Sequence, residues 1–154
     1  MKDSKTAGDI CSRLVAVAYP SMAIDEAARV MRERHVGCLV VVEELTAGER
    51  IVVGVLTDRD IAMGVVAADR DPHGMRVGDV MTRDVVKVRD DDSLSDVLAA
   101  MRRKAVRRVP VTGPKDVLIG IVALDDVLAV LAQQMEAVAA AVSAAARHEQ
   151  TAMP

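Results

Sequence analysis

From Leu14 onward the chain alternates between short apolar runs and segments whose apolar residues fall three and four apart. Leu14–Ala18 is a run of strand length. Ile24, Ala27, Ala28 and Met31 then stand at i, i+3, i+4 and i+7, one stripe of a helix whose other faces carry Glu26, Arg29, Arg32, Glu33 and Arg34. Cys38–Val42 and Ile51–Leu56 follow as nearly continuous apolar runs, the pattern of strands covered on both faces. They flank Glu43–Arg50, a loop containing Gly48, and a helix-compatible segment from Ile61 to Ala68 closes the unit.

The same order of patterns returns seventy positions later. Asp9-Ile10 matches Asp79-Val80, Met31-Arg32 matches Met101-Arg102, and Val41 matches Val111; past a loop four residues longer in the first copy, the offset becomes sixty-six. The second copy offers Val85–Val88 as its first strand and a helical stripe of Leu94, Val97, Leu98 and Met101. Its strands Val109–Val111 and Val117–Val122 flank the turn signal Thr112-Gly113-Pro114-Lys115-Asp116. Ser93 with Asp96 predicts a capping box for this helix, and Ser21 a less regular cap for its counterpart. The prediction is an α+β chain of two tandem βαββα units. Residues 1–8 form a loose N-terminus, 9–68 the first unit, 69–78 a linker, 79–132 the second unit and 133–154 a helical tail.

The tail departs from the repeat. Leu124, Leu128, Leu131, Met135, Val138, Val142 and Ala145 are spaced alternately by four and three, close to a heptad seam. Such a helix either folds back on its own core or meets a second copy in a homodimer. The small residues on its remaining faces favour the second.

About half of the 154 residues are apolar, and Tyr19 is the only aromatic, so the core is aliphatic. A net charge of −3 exerts no general pull on nucleic acid or anionic membrane. The lack of aromatics also argues against base stacking. Cys11 and Cys38 stand apart, with no metal-ligand spacing, and suit a reducing cytoplasm. His35, His73 and His148 read as surface residues. The N-terminus carries no signal-peptide core, and uninterrupted apolar runs such as Cys38–Val42 and Ala137–Val142 fall short of the roughly 20 residues that span a bilayer. No nucleophile–base pair, metal cluster or phosphate loop points to catalysis.

The chemistry concentrates in Gly54-Val55-Leu56-Thr57-Asp58-Arg59-Asp60-Ile61, where a strand run meets a hydroxyl and two carboxylates. Thr57 suits a helix N-cap, and Asp58 and Asp60 its first turn. The segment recurs as Gly120-Ile121-Val122-Ala123-Leu124-Asp125-Asp126-Val127, which keeps the second carboxylate and loses the hydroxyl. Arg59, between two acids, reads first as a local ion-pair partner.

Two tandem βαββα units, each with Gly-h-h-Thr/Ser-x-x-Asp (h apolar) at the end of its third strand, resemble a pair of CBS domains, also called a Bateman module. The opening Val77-Gly78-Asp79-Val80-Met81-Thr82 fits as well, and the resemblance covers roughly residues 9–132. It implies pseudo-two-fold packing of the units and a non-catalytic regulatory role. The implied ligand is an adenosine compound in the cleft between units (AMP, ADP or ATP first, NAD or S-adenosylmethionine next). The output passes to a separate regulated protein, and the module pairs as a homodimer. By the same resemblance Asp60 and Asp126 take the ribose diol, and Thr57 adds a hydroxyl that Ala123 lacks. Val15, Val17 and Val36 line the base slot of one site, and Val85, Val88 and Val106 that of the other. Arg107 and Arg108 reach the phosphate of a nucleotide held by Asp60, with Arg59 a less direct candidate. The positions corresponding to these arginines in the first unit, Gly37 and Cys38, are uncharged. The two sites are therefore expected to be unequal, with Asp60 the stronger. The alternative is a ligand-free dimerisation or interaction module, which Ala123, Gly37 and Cys38 favour.

Overall fold

A computed structural model describes residues 4–152. A one-turn helix opens each copy of the repeat, α1 (Ala7–Ile10) and α4 (Val77–Val80). The first copy continues through β1 (Val17–Ala18), α2 (Ile24–Arg34), β2 (Cys38–Glu44), β3 (Arg50–Thr57) and α3 (Asp58–Ile61), which runs into a π-helical turn at Ala62–Val66. The second copy repeats this order with β4 (Val88–Arg89), α5 (Leu94–Lys104), β5 (Arg108–Thr112), β6 (Leu118–Ala123) and the long α6 (Leu124–Ala152). Each copy makes one three-stranded sheet, in the orders β1-β2-β3 and β4-β5-β6. In both, the first pair is parallel and the second antiparallel with one register shift. The α+β architecture read from the sequence is the one observed.

Helices α2 and α5 form where the apolar stripes fall, with Ile24, Ala27, Met31, Val97 and Met101 buried beneath them. Ser93 and Asp96 exchange the two hydrogen bonds of a capping box. Ser21 does not cap α2. The N-cap is Ala23, which has no side chain to donate or accept, and the carbonyl of Ser21 instead takes a hydrogen bond from Arg76 at 3.1 Å.

The opening segments cross over. The amides of Ala7 and Gly8 donate to Asp92 and Asp90 of the second copy, and those of Val77 and Gly78 to Met22 and Pro20 of the first, all at 2.8–2.9 Å. Ser12 exchanges two backbone hydrogen bonds with Ile121, and Thr82 two with Val55. Ala7 joins the core of Val97, Val109 and Val122, while Val77 and Met81 join that of Ile24, Leu39 and Leu56. Residues 6–8 are thus an N-cap and a buried first turn rather than loose chain; Met1 to Asp3 lie outside the described residues. The crossover also explains why β1 and β4 are two residues long instead of the four or five read from the sequence. Upstream of them Ser12 and Thr82 are drawn to the opposite sheet's edge, and Leu14 is 89% exposed.

The two sheets meet through a third cluster. Val40, Val42 and Val52 pack against Val15, Val17 and Tyr19 of their own copy and against Leu118 and Ile121 of the other. Beyond Val130, every residue of α6 from Leu131 to Ala152 is exposed, so the helix does not fold back on the core. By length and composition α6 is apolar enough to cross a membrane, which the uninterrupted runs of the sequence do not show.

Candidate functional site

Strand β3 ends at Thr57, and the chain turns directly into α3. Thr57 Oγ1 accepts from the Asp60 amide at 3.0 Å, and Asp60 Oδ2 accepts from the Thr57 amide at 3.0 Å. This reciprocal box fixes the carboxylate at the strand–helix junction, half-buried, with one oxygen engaged. In the second copy Asp126 Oδ2 accepts from the Ala123 amide at 2.8 Å, and Ala123 has no hydroxyl to return the bond. The two carboxylates hold the same place, the second on half the support.

Gly54 and Gly120 are kept in both copies because the crossing segments run against them. A Cβ on Gly54 would lie 2.8 Å from the Thr82 carbonyl, and one on Gly120 2.5 Å from that of Ser12. The motif glycine is therefore where one unit admits the backbone of the other, a role its spacing alone does not reveal. Met81 and Cys11 are the matching side chains at these crossings.

Cys38, paired across the sheet with Thr57, reports on the charges around the first site. Burial pushes its thiol up to about 11; the Arg108 cation opposes the rise, and Asp60 and then Asp58 reinforce it. Arg108 of the second unit and Asp60 and Asp58 of the first thus each bear on the Cys38 thiol. Cys11 plays the same part at the other site: burial raises its thiol, Arg13 opposes, and Asp126 adds to the rise. Gly37 leaves room for Asp58, whose Oδ2 would stand 2.9 Å from a Cβ at that position. The sequence reading treats Cys38 and Gly37 only as missing cations and does not single out Cys11; a cross-copy contact leaves no local signal.

The remaining predicted residues divide. Arg107 pairs with Asp125 at 3.5 Å on its own unit, both side chains being exposed, while Arg108 is the arginine whose charge bears on Cys38. Arg59 is exposed, with its amide donating to Asp58 Oδ1 at 2.8 Å. Val15 and Val17 are half-buried where the sheets meet. Val36 and Val106 are exposed just after the left-handed residues His35 and Ala105 that end α2 and α5. Val88 is 3% exposed and packs in the second core. Val85 and Val88 border a cleft of about 380 Å³ with Lys87, Arg103 and Lys104, which reaches neither Asp60 nor Asp126. No group of three or more His, Cys, Asp or Glu able to hold a metal occurs among the described residues.

Two interlocked βαββα units, each with a carboxylate bonded to the backbone at the end of its third strand, define a repeat-built module. The sequence pattern of the CBS domain matches residues 7–67 and again 77–133, and the chain belongs to that family as a tandem pair. It is 36% identical over 118 residues to the CBS domain-containing protein YhcV of Bacillus subtilis, covering 77% of this chain and 79% of that one. It is 31% identical over 127 residues to a protein of Methanopyrus kandleri, covering 82% of this chain and 63% of the relative's length. The CBS domain pair of protein MJ0100 superposes with a TM-score of 0.71 at 24% identity, over 85% of this chain and 98% of that one, a likeness that carries the fold.

Proposed function

We propose that this chain is a non-catalytic regulatory module that binds an adenosine-containing ligand between its units, with Asp60 as the principal ribose acceptor. The supporting observation is the Thr57–Asp60 box at the end of β3, beside a Cys38 thiol on which both Asp60 and Arg108 of the other unit act. A half-buried carboxylate with one oxygen engaged in a cap keeps acceptor capacity for a diol, through charge-assisted bonds of about 1.5–3 kcal/mol. A guanidinium contributed by the other unit suits phosphate. The MJ0100 domain pair was crystallised with 5′-methylthioadenosine and S-adenosyl-L-methionine, so the shared fold accommodates adenosine compounds. The chain's relative inosine-5′-monophosphate dehydrogenase of Methanocaldococcus jannaschii matches over only 23% of its length, which supports reading the module apart from that enzyme's activity.

The second site, at Asp126, lacks the hydroxyl, and Gly37 and Cys38 stand where the repeat would place a counterpart of Arg108; the cation that bears on Cys11 there is Arg13, whose guanidinium donates to the Gly8 carbonyl at 3.5 Å. On this reading it takes a less charged ligand or none. Signalling follows if the ligand favours one arrangement of the units over another, to the extent of its differential affinity. Thermal-shift measurements with AMP, ADP, ATP, NAD and S-adenosylmethionine test the reading. Stabilisation is expected from at least one, about 2.7 kcal/mol at a hundred times its dissociation constant. No stabilisation of folded protein by any of the five would favour the ligand-free interaction module.

A further inference from the structure

We propose that α6 beyond the CBS match is a dimerisation helix whose occupant is a second copy of this chain, joined along the seam Leu128, Leu131, Met135, Val138, Val142 and Ala145. The family pattern ends at residue 133, while the helix continues unbroken to Ala152. Leu128, Met135, Val138 and Val142 are 56–68% exposed and Leu131 42%. The molecule exposes 10,242 Å², against about 7,500 Å² for a compact monomer of its 16.4 kDa mass. An isolated projecting helix accounts for such an excess, and a partner on it would remove part of the excess.

The residue pattern chooses the partner. With the seam at the a and d positions of a heptad, Gln133, Glu136, Ser143 and Arg147 all fall at b or f, on the far side. Ala132, Ala139 and Ala146 occupy e, and Gln134, Ala141 and His148 occupy g, so the flanks are small or uncharged at neutral pH and no like charges oppose pairing. A membrane-crossing helix has no reason to gather its bulky apolar residues in a seam this narrow. From Leu128 to Ala145 the seam is about 26 Å long. With its flanks it would cover on the order of 600 Å² per copy, against roughly 800 Å² for a standard interface. Reversible association in the micromolar range is expected.

Sedimentation of the full chain from about 1 to 200 μM tests this without reference to any ligand. The wild type is expected to reach twice the 16.4 kDa chain mass as concentration rises. The seam variant Met135→Glu/Val138→Glu is expected to dissociate about 100-fold more readily. The outer-face variant Gln133→Glu/Ser143→Glu should change the dissociation constant by less than about 3-fold. Circular dichroism checks that each variant stays folded. A wild type that remains a single chain throughout, a seam variant that dimerises unchanged, or co-sedimentation of the wild type with phosphatidylcholine vesicles would each overturn the proposal. Loss of dimer with retained nucleotide binding, or the converse, separates this inference from the ligand reading.

Discussion

Thr57 and Asp60 support one another through two hydrogen bonds, and this pair is where structural and binding roles coincide. Thr57→Ala converts the first junction into a copy of the second, where Ala123 stands. It is expected to cost about 1 kcal/mol in denaturant unfolding and to weaken the ligand as well. Arg108→Ala is expected to weaken a phosphorylated ligand about tenfold or more while leaving adenosine itself unaffected, as titration calorimetry can show. Cys38 supplies a pH test. The unfolded thiol releases its proton near 9.0 and the folded one near 11. The folded pKa is the higher, so this contribution is complete below about pH 9 and is lost as pH rises through about 11. The loss amounts to roughly 2–3 kcal/mol and should vanish from the pH profile of a Cys38→Ala variant. Thr57 and Asp60 were legible as a cap, because their spacing is the cap's own signature. The pairing of Asp60 with Arg108 came from the family resemblance alone, because the two residues lie in different copies.

At the level of elements, the exchange of opening helices binds each unit's stability to the other's sequence. Val77 is fully buried in the first unit's core although it precedes the second copy's helix. Val77→Ala is expected to cost about 2 kcal/mol, with amide hydrogen exchange rising in β2 and β3 rather than in β5 and β6. A rise confined to the second sheet would contradict the crossover. Helices α2 and α5 and the four long strands were legible because each carries its own apolar period. The two-residue strands and the crossing were not. The crossing pairs Thr82 with Val55 and Ser12 with Ile121, from one copy to the other, and nothing local distinguishes Leu14, left exposed, from a paired strand residue. The cap assigned to Ser21 failed for a related reason, since a hydroxyl two residues before Ala23 satisfies the composition of a cap without its geometry.

For the whole molecule, the repeat carried most of the information. Recurrence of order exposed two units, and their family followed from the strand-end motif. The unequal sites followed from what the second copy lacks. What the sequence left open about the tail was whether it packs inward, and its full exposure beyond Val130 answers that. The central claim is that Asp60 holds an adenosine ligand between units. Titration calorimetry of wild type, Asp60→Asn and Asp126→Asn with the best of the five adenosine compounds tests it most directly. The account predicts binding to the wild type, at least a tenfold loss in Asp60→Asn with the fold intact, and little change in Asp126→Asn. Equal binding by wild type and Asp60→Asn would contradict it.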